Sequence, residues 1–380
     1  MEFIALKAQY RASKNEIDES ISKVLEGGDF IQGEYVKTFE EELAEYIGVK
    51  HVISCSDGTA ALQLIFMAYN LGKDDVVFCP DMTFIASIEP ACLLGVTPVF
   101  CDINPKTYNI SPESLERQIL AVKEEGKLIP RAVVAVDFLG NPAEFDEIRK
   151  ITNKYDLLLI EDAAQGIGAS YKGKKCGSLG DIAATSFFPS KPLGCYGDGG
   201  AVFTNDDEIA EKLKSLRVHG KGIDKYHNIQ IGINSRLDTI QAGILRVKLK
   251  HLEEEIGIRQ DIARKYWEGL SDIYEIPFVS EGSISAYAQF SIKPSERLQK
   301  IGITREGCME ALKTKGIPSI LYYPVPLHLL PVFASINSYS ETFANTIEYS
   351  ENHLGIPFSP YITHDEQENV IKTLMEIGQN

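Results

Sequence analysis

The chain has 380 residues, of which 44% are hydrophobic, and its formal net charge is −16. That length is sufficient for a large core and at least two subdomains, while the negative charge argues against nucleic acid as a partner, because its phosphates would be repelled. The apolar stretches are only as long as strands, and residues 1–7 lack the basic and apolar regions of a signal peptide, so we expect neither a membrane span nor a membrane partner.

The seven cysteines are odd in number, dispersed along the chain and free of any Cys-x-x-Cys pair. Secreted disulfide frameworks and structural zinc sites both need closely patterned cysteines. The pattern therefore favours a reducing cytoplasm and predicts no metal site.

Short apolar runs alternate with helical patterns through the first half of the chain. Two amphipathic helices are predicted near 13–26 and 34–47. The predicted strands that follow, with helices between them, are 51–55, 75–79, 98–103, 132–137 and 157–161. This alternation is typical of a mainly parallel sheet with helices on both faces and ligands at the carboxyl ends of its strands. Runs near 182–187 and 200–204 lack a full helix between them, which indicates local antiparallel pairing.

A strand leads into a helix through glycine at Ser56-Asp57-Gly58-Thr59. Free backbone N–H groups at a helix N-terminus form an anion site, and here Gly58 would permit close backbone approach while Thr59 adds a hydroxyl. The alternative is an ordinary N-cap by Ser56 or Asp57. Taken by itself, that alternative is the better interpretation.

A carboxylate and a lysine follow in an order that suggests one cofactor. The run 157–161 would deliver Asp162 to the carboxyl edge of the sheet, and Lys191 lies among aromatic, proline and glycine residues. Partial desolvation there would lower the pKa of Lys191 and free its amine for a Schiff base. Pyridoxal phosphate requires such a lysine and a partner for its ring nitrogen. Separately, a solvated lysine and a turn or cap aspartate are the common alternatives.

Glycines and basic residues surround this region. The glycines at 194, 197, 199 and 200 do not have dinucleotide-fingerprint spacing, so we interpret them as backbone room beside the lysine, or as a simple turn. Positive charge is concentrated at 217–227, just before Asn234 and Arg236. As a group these residues are candidates to meet an anionic substrate, whereas each lysine or histidine taken singly is better explained as part of a solvated loop.

The second half of the chain predicts a long helix and a smaller unit. The helix would run from 235 to about 272 and would join a large domain, 1–240, to a C-terminal domain, 241–380. The smaller domain is predicted to be an α+β layer, with strands around 286–293 and 317–322 and helices around 304–315 and 365–378.

Five motifs spread along the chain point to one family. They are Ser-Asp-Gly-Thr at 56–59, Glu-Asp-Ala-Ala-Gln at 161–165, Ser-Phe-Phe-Pro-Ser-Lys at 186–191, Gly-Asp-Gly-Gly-Ala at 197–201 and Asn-Ser-Arg-Leu-Asp at 234–238. Over essentially its whole length the chain resembles the nucleotide-sugar aminotransferases, which depend on pyridoxal 5′-phosphate and have the aspartate aminotransferase fold type I. The resemblance implies an α/β fold, with a large three-layer domain around a mainly parallel sheet of the seven-stranded type and a smaller C-terminal α+β domain.

The resemblance also implies contacts to the cofactor. Lys191 would be the Schiff-base residue and Asp162 the partner of the ring nitrogen. Phe84 would stack on the ring, and Gln165 would contact the cofactor from the opposite side or at its phenolic oxygen. The alternative for Phe84 is a core position.

The cofactor phosphate would be bound across a homodimer. Ser186, Gly58 and Thr59 would bind it from one subunit, and Asn234 would reach it from the other. The resemblance therefore implies shared active sites.

The substrate pocket is implied less directly. Arg236 would pair with the carboxylate of glutamate and of a uronic acid in turn, although it could instead simply open the long helix. Tyr322, Tyr323 and His328 lie in one motif, in which many relatives have His where this chain has Tyr322. They and Tyr287 are candidate substrate contacts, with core packing as the alternative for the tyrosines.

The stretch at 187–200 looks like the subgroup that aminates C3 of a UDP-linked 2-acetamido-3-keto-hexuronic acid. We expect L-glutamate as donor, 2-oxoglutarate as by-product and a cytoplasmic enzyme that supplies an amino sugar for surface polysaccharide such as the O-antigen of lipopolysaccharide. One alternative acts on a 3-keto or 4-keto deoxyhexose carried by dTDP or UDP. A sugar dehydratase with the same cofactor is disfavoured by Lys191, and a non-catalytic regulatory or binding protein would need an eroded catalytic set or an added DNA-binding region.

Overall fold

A computed structural model describes residues 1–224, 226–336 and 339–379. The helices are α1 Leu6–Ala12, α2 Lys14–Gly27, α3 Glu34–Ile47, α4 Gly58–Ala68, α5 Glu89–Leu93, α6 Pro112–Glu125, α7 Phe145–Tyr155, α8 Asp207–Leu216, α9 Thr239–Leu270, α10 Glu296–Lys300, α11 Arg305–Thr314, α12 Ala344–Asn352 and α13 His364–Gln379. The strands are β1 His51–Cys55, β2 Asp75–Pro80, β3 Thr97–Cys101, β4 Ile129–Val136, β5 Leu158–Asp162, β6 Ser170–Tyr171, β7 Lys174–Lys175, β8 Ile182–Ser186, β9 Gly200–Thr204, β10 Tyr274–Glu275, β11 Ser283–Ile284, β12 Phe290–Pro294 and β13 Leu354–Ile356. Within these residues, no helix is both long and apolar enough to cross a bilayer.

One large sheet in the described chain has the strand order β1-β9-β8-β5-β4-β2-β3. Strands β3, β2, β4, β5 and β8 are parallel neighbours, whereas β9 pairs antiparallel with both β8 and β1. The predicted α/β fold and its local antiparallel pairing are thereby confirmed. Gly200, which opens β9, is in register with Cys55 and with Ser186. The ends of β1, β8 and β5 therefore meet at one edge of the sheet.

Both faces of this sheet are covered. Side chains along β4 alternate between two cores, with Val133 in one and Val134 in the other, because successive residues of a strand point to opposite faces. The first core is filled from α3, α6, α7 and the first half of α9, and the second from α4, α8 and the C-terminal segment 327–343. Buried on both sides, the strands are mostly apolar, as is typical of parallel strands.

A third core lies among residues from Ile262 onward. Helix α9 takes part in two cores, since Leu252 and Ile256 pack with the large sheet while Tyr266 packs in the third. The predicted division into 1–240 and 241–380 stays a prediction. Within α9, the helix changes from packing against the large sheet to packing in the third core.

One predicted strand is wrong. Residues 317–322 form no ladder, and only Ile320 makes a single bridge to Gly355. Pro318 lies within this run and Pro324 follows it, and proline cannot donate to a ladder.

Candidate active site

A cavity of about 480 Å³ opens at the edge where β1, β5 and β8 end. Its lining includes eight residues with a role predicted from sequence, namely Gly58, Thr59, Phe84, Asp162, Gln165, Ser186, Lys191 and Tyr323. These residues come from distant parts of the chain, and the strand order is what brings them together.

One end of the cavity is the N-terminus of α4. The Asp57 carboxylate caps the helix by accepting the Ala60 N–H at 2.7 Å. The first N–H groups of a helix have no intrahelical acceptor, so those of Gly58 and Thr59 remain for a ligand. A Cβ atom at residue 58 would lie 2.7 Å from the Cβ of Ser186, which means that only glycine lets α4 approach β8 so closely. The ordinary cap is therefore present, and the predicted anion site at the same helix N-terminus stays a prediction.

Asp162 lies at the centre of the cavity wall with 5% of its surface exposed. Ser87 Oγ donates to Asp162 Oδ2 at 2.7 Å, and the Ala164 N–H donates to Oδ1 at 3.1 Å. Burial raises the pKa of the Asp162 carboxyl, while the Ser87 and Ala164 hydrogen bonds and the charge of Lys191 oppose that shift.

Lys191 lies in a loop that closes on itself. The Cys195 N–H donates to the Phe187 carbonyl at 2.8 Å, and the Lys191 N–H donates to the Phe188 carbonyl at 2.9 Å. No hydrogen bond or ion pair links the Lys191 ammonium to any other residue that the structure describes. Burial lowers its pKa, and the Asp162 charge opposes this. The loop thus presents an amine that loses its proton more readily than an exposed lysine does, as a nucleophile or base must.

Aromatic and amide side chains form the remaining wall. Phe84 is 54% exposed, and its ring centroid lies 5.9 Å from that of Tyr323. Gln165 Oε1 accepts the Leu139 N–H at 2.7 Å, and the Gln165 side chain also hydrogen-bonds to the Tyr323 phenol. Phe84 and Gln165 both line the cavity, so both would be close to a planar ring bound there.

Sequence reasoning missed several wall residues. Thr83 and Ser87 line the cavity, as does Gln289, whose buried Oε1 has no hydrogen-bond partner. Thr83 lies directly before Phe84 in the sequence, whereas Ser87 lies three residues after it. Gln289 comes from the smaller unit and gives no local signal.

Two of the candidate substrate residues, Tyr287 and Tyr322, lie elsewhere. The Tyr287 ring packs against Phe290 and Phe358, with centroids 5.9 and 5.8 Å away, and Tyr322 packs 6.3 Å from the Phe3 ring. In the described chain neither tyrosine lines the cavity. Their predicted contacts to substrate stay predictions.

His328 is held beside the wall instead of in it. Its Nδ1 lies 2.5 Å from Asp81 Oδ2, its backbone N–H donates to Asp81 Oδ1 at 2.8 Å, and its ring stacks 4.3 Å from the Phe343 ring. Burial raises the pKa of Asp81, and His328 opposes the shift. This pair fastens the segment that carries Tyr323 to the end of β2.

Asn234 and Arg236 lie outside the cavity of their own chain, as far as the structure describes it. Asn234 is exposed and Arg236 half-buried, although between them Ser235 Oγ accepts the Ser56 N–H at 3.2 Å, next to the anion site. The basic segment before them includes Lys225, which lies outside the described residues. The described residues on either side of it, 221–224 and 226–231, are here called the arm, and their isoleucines 223, 229 and 231 are exposed.

A second cluster lies behind β5. Asp137, Glu161 and Cys176 are fully buried with their ligand atoms close together. Glu161 accepts three backbone N–H groups from 177–180, and a Cβ at Gly166 would overlap Asp137 Oδ2. Burial and the charge of Glu161 raise the pKa of Asp137 well above its usual range. We interpret the pair as two carboxyls that share a proton.

Known proteins with similar sequence give the family context. Residues 11–375 match the family described as DegT/DnrJ/EryC1/StrS aminotransferases. The chain is 44% identical, over 88% of its length and 89% of the relative, to the UDP-2-acetamido-2-deoxy-3-oxo-D-glucuronate aminotransferase of Pseudomonas aeruginosa.

Solved structures agree. A DegT DnrJ EryC1 StrS aminotransferase from Brucella abortus has a TM-score of 0.96 at 42% identity, with 100% of both chains covered. The NtdA structure from Bacillus subtilis, with bound cofactor PMP (pyridoxamine phosphate), has a TM-score of 0.89 at 27% identity and covers 100% of this chain and 85% of that one.

The Asp81–His328 pair makes stability depend on pH. Because the folded-state pKa of Asp81 is raised, its protonation favours folding below the unfolded pKa, and that contribution is lost as pH rises through the folded pKa. Replacing His328 with alanine raises the folded pKa further. We expect His328→Ala to lower the free energy of unfolding by about 3 kcal/mol at pH 7 and by clearly less near pH 4.5, measured by urea denaturation.

The control combines His328→Ala with Asp81→Asn, which leaves no carboxyl to titrate. That double variant should lose a similar amount of stability at both pH values. An equal loss for the single variant at both values would contradict a role for the charge of Asp81.

Proposed function

The chain belongs to the DegT/DnrJ/EryC1/StrS aminotransferase family, and from that premise we propose that it transfers the amino group of L-glutamate to C3 of a UDP-linked 2-acetamido-2-deoxy-3-keto-hexuronic acid. That it is a nucleotide-sugar aminotransferase follows from the family. The particular sugar is the proposal, and the observation that supports it is the 44% identity to the Pseudomonas aeruginosa enzyme named for this keto sugar.

The cofactor of this enzyme is pyridoxal 5′-phosphate, and the cavity residues fit it. The α4 N-terminus with Ser186 would hold the phosphate where glycine at 58 leaves room, and Asp162 would hold the ring nitrogen. Phe84 and Gln165 would hold the ring from the walls of the cavity. The unpartnered Lys191 amine would hold the aldehyde carbon.

Lys191 also has the chemistry of the proton carrier. When bound, the cofactor supplies an electron sink for the bond that breaks at the amino-bearing carbon. Lys191 Nζ, with its lowered pKa, takes the proton from the α-carbon of glutamate and in the second half-reaction delivers a proton to C3 of the sugar. Overall the amino nitrogen replaces the keto oxygen of the sugar, and glutamate leaves as 2-oxoglutarate.

We propose that the site is completed by a second copy of the chain. Asn234 and Arg236 lie outside the cavity that their own chain forms, and the arm before them exposes apolar side chains. Exposed apolar patches of this kind mark interfaces. A homodimer in which the arms cross would bring Asn234 to the phosphate and Arg236 to the carboxylates of the substrates.

The product would be a UDP-linked 2-acetamido-3-amino-hexuronic acid for surface polysaccharide. All seven cysteines are free thiols, which supports a reducing, cytoplasmic setting for the reaction. In both proposed substrates a carboxylate is present, so one guanidinium would serve both half-reactions.

Replacing Lys191 with alanine should abolish both covalent attachment and turnover. In the wild type, borohydride should fix the cofactor on the peptide that contains Lys191, as seen by mass spectrometry. The variant should show no such label and should release 2-oxoglutarate from glutamate at least about 10²–10⁴-fold more slowly, because nucleophile and base are lost together. Lys293→Met, which removes another partly buried lysine, is the control and should be labelled and active. A variant at position 191 that turns over at the wild-type rate would falsify the assignment.

The substrate is tested by a panel of UDP- and dTDP-linked keto sugars with glutamate, with NMR to locate the new amine. We expect the UDP-linked 3-keto uronate to react best, and amination at C3. Arg236→Ala should lower kcat/KM for glutamate and for the uronate by about ten- to a hundredfold, since a charged hydrogen bond is lost. A neutral 3-keto sugar should be much less affected in its own half-reaction, and Arg236→Lys should recover only part. Equal losses for acidic and neutral sugars would remove Arg236 from uronate recognition.

Mixed dimers separate the two subunits' contributions. A dimer of one Lys191→Ala chain and one Arg236→Ala chain has one fully intact site if Arg236 acts on the partner's cavity. If Arg236 acts within its own chain, both sites are damaged. Recovery of activity on mixing the two inactive variants is therefore the expected result, and its absence would sink the crossed-arm proposal.

A further inference from the structure

Asp162 is the end of a chain of buried hydroxyl groups. Ser87 Oγ donates to Asp162 Oδ2 at 2.7 Å, and Ser87 Oγ lies 2.8 Å from Thr83 Oγ1. Thr83, Ser87 and Asp162 are each at most 5% exposed, and all three line the cavity. The hydroxyls lie on the segment after β2, which is separated from β5 by β4. The contact therefore bridges across a strand.

The directions of these hydrogen bonds follow from the carboxylate at the end of the chain of hydroxyls. An ionised carboxylate can only accept, so the single proton of the Ser87 hydroxyl is committed to Asp162. Ser87 must then be the acceptor from Thr83, whose hydroxyl proton points along the chain toward the aspartate. Each donor polarises the next, and a hydrogen bond to a charged acceptor is stronger than one between neutral groups.

Without such donors the ionised form of Asp162 would be costly. The groups that face it are Lys191, the Cys79 thiol and the Tyr323 phenol. Burial raises the pKa of both Cys79 and Tyr323, so neither supplies a charge. Lys191 is the one cation among them, and its amine is engaged elsewhere once it acts on the cofactor or substrate.

We propose that Thr83 and Ser87 are positioning residues that hold the Asp162 carboxylate ionised and aimed at the cofactor ring nitrogen. The inference rests on the proposed role of Asp162. It assigns a part in the reaction to two hydroxyls that do not themselves touch the reacting carbons.

The test measures binding, with activity left aside. Apoenzyme carrying Lys191→Ala, in which the lysine neither titrates nor reacts, is titrated calorimetrically with pyridoxamine phosphate and with its deaza analogue, in which CH replaces the ring nitrogen. The analogue reports the phosphate contacts and their own pH dependence. The ratio of the two dissociation constants isolates the contact between Asp162 and the ring nitrogen at each pH.

Adding Ser87→Ala should shift the acid limb of the pH profile of that ratio to higher pH by about one unit. The reason is that losing a hydrogen bond to the carboxylate raises the pKa of Asp162. Thr83→Val should move it in the same direction by less, and Thr83→Ser should not move it. Ser291→Ala, which removes an equally buried hydroxyl that is not among the residues lining the cavity, is the matched control and should leave the profile unchanged. Thermal melting confirms that each variant is folded.

Two failures are distinguishable. If Asp162→Asn leaves the ratio unchanged, the role of Asp162 itself is wrong. If Asp162→Asn collapses the ratio while Ser87→Ala shifts neither its size nor its pH dependence, the role of Asp162 stands and the hydroxyl relay is overturned. A shift with Ser291→Ala as large as that with Ser87→Ala would likewise overturn it, since any buried hydroxyl would then do the same.

Discussion

The active site depends on keeping one charge in a place that disfavours it. Asp162 ends a buried strand, and taking a carboxylate out of water costs several kcal/mol unless donors compensate. Burial raises the pKa of the carboxyl, and a neutral acid does not keep a pyridine nitrogen protonated. The Ala164 N–H and the Ser87 hydroxyl oppose this shift, so the proposed role of Asp162 depends on them. The same burial lowers the pKa of Lys191, which is the direction that its proposed chemistry needs, whereas for Asp162 the hydrogen bonds must work against burial.

The proposed phosphate site depends on a single antiparallel strand of the sheet. Because β9 runs against β1 and β8, its first residue lies level with the ends of both. A side chain at Gly200 would overlap the Asp57 carbonyl, and one at Gly58 would press on Ser186. Glycine at these two positions lets the α4 N-terminus and the Ser186 hydroxyl approach one ligand together. Among the glycines that follow Lys191, Gly194 and Gly200 are thus explained by close backbone contact, without any dinucleotide fingerprint.

Local sequence patterns predicted most of the large sheet and the residues at its edge. Contacts between segments that are distant in sequence could not be predicted in this way. Asp162 and Gly58 could be predicted from the sequence, because a strand end and a helix start are each encoded by neighbouring residues. Ser87 reaches Asp162 across β4, and His328 reaches Asp81 across 247 residues of sequence, so no spacing records either contact. The run at 317–322 is predicted as a strand from its apolar residues, but Pro318 within it and Pro324 after it cannot donate to a ladder. Tyr287 carried the right chemistry for a substrate contact, and its ring is used in packing.

The chain is strongly negative and must still bind anionic ligands. Screening over the distance between most of its exposed charges and a bound ligand resolves this conflict. At physiological ionic strength exposed charges more than about 8 Å apart are largely screened, so the net charge of −16 weighs little against a cation in contact with the ligand. Within its own cavity the described chain offers Lys191 as the nearest cation, and that amine is needed for chemistry. The proposed dimer would supply a further positive group from outside the cavity, because Arg236 is half-buried at a surface next to the N-terminus of α4, where a second copy could present it. Electrostatics thus supports the proposed homodimer, in which one guanidinium would hold two carboxylates in turn.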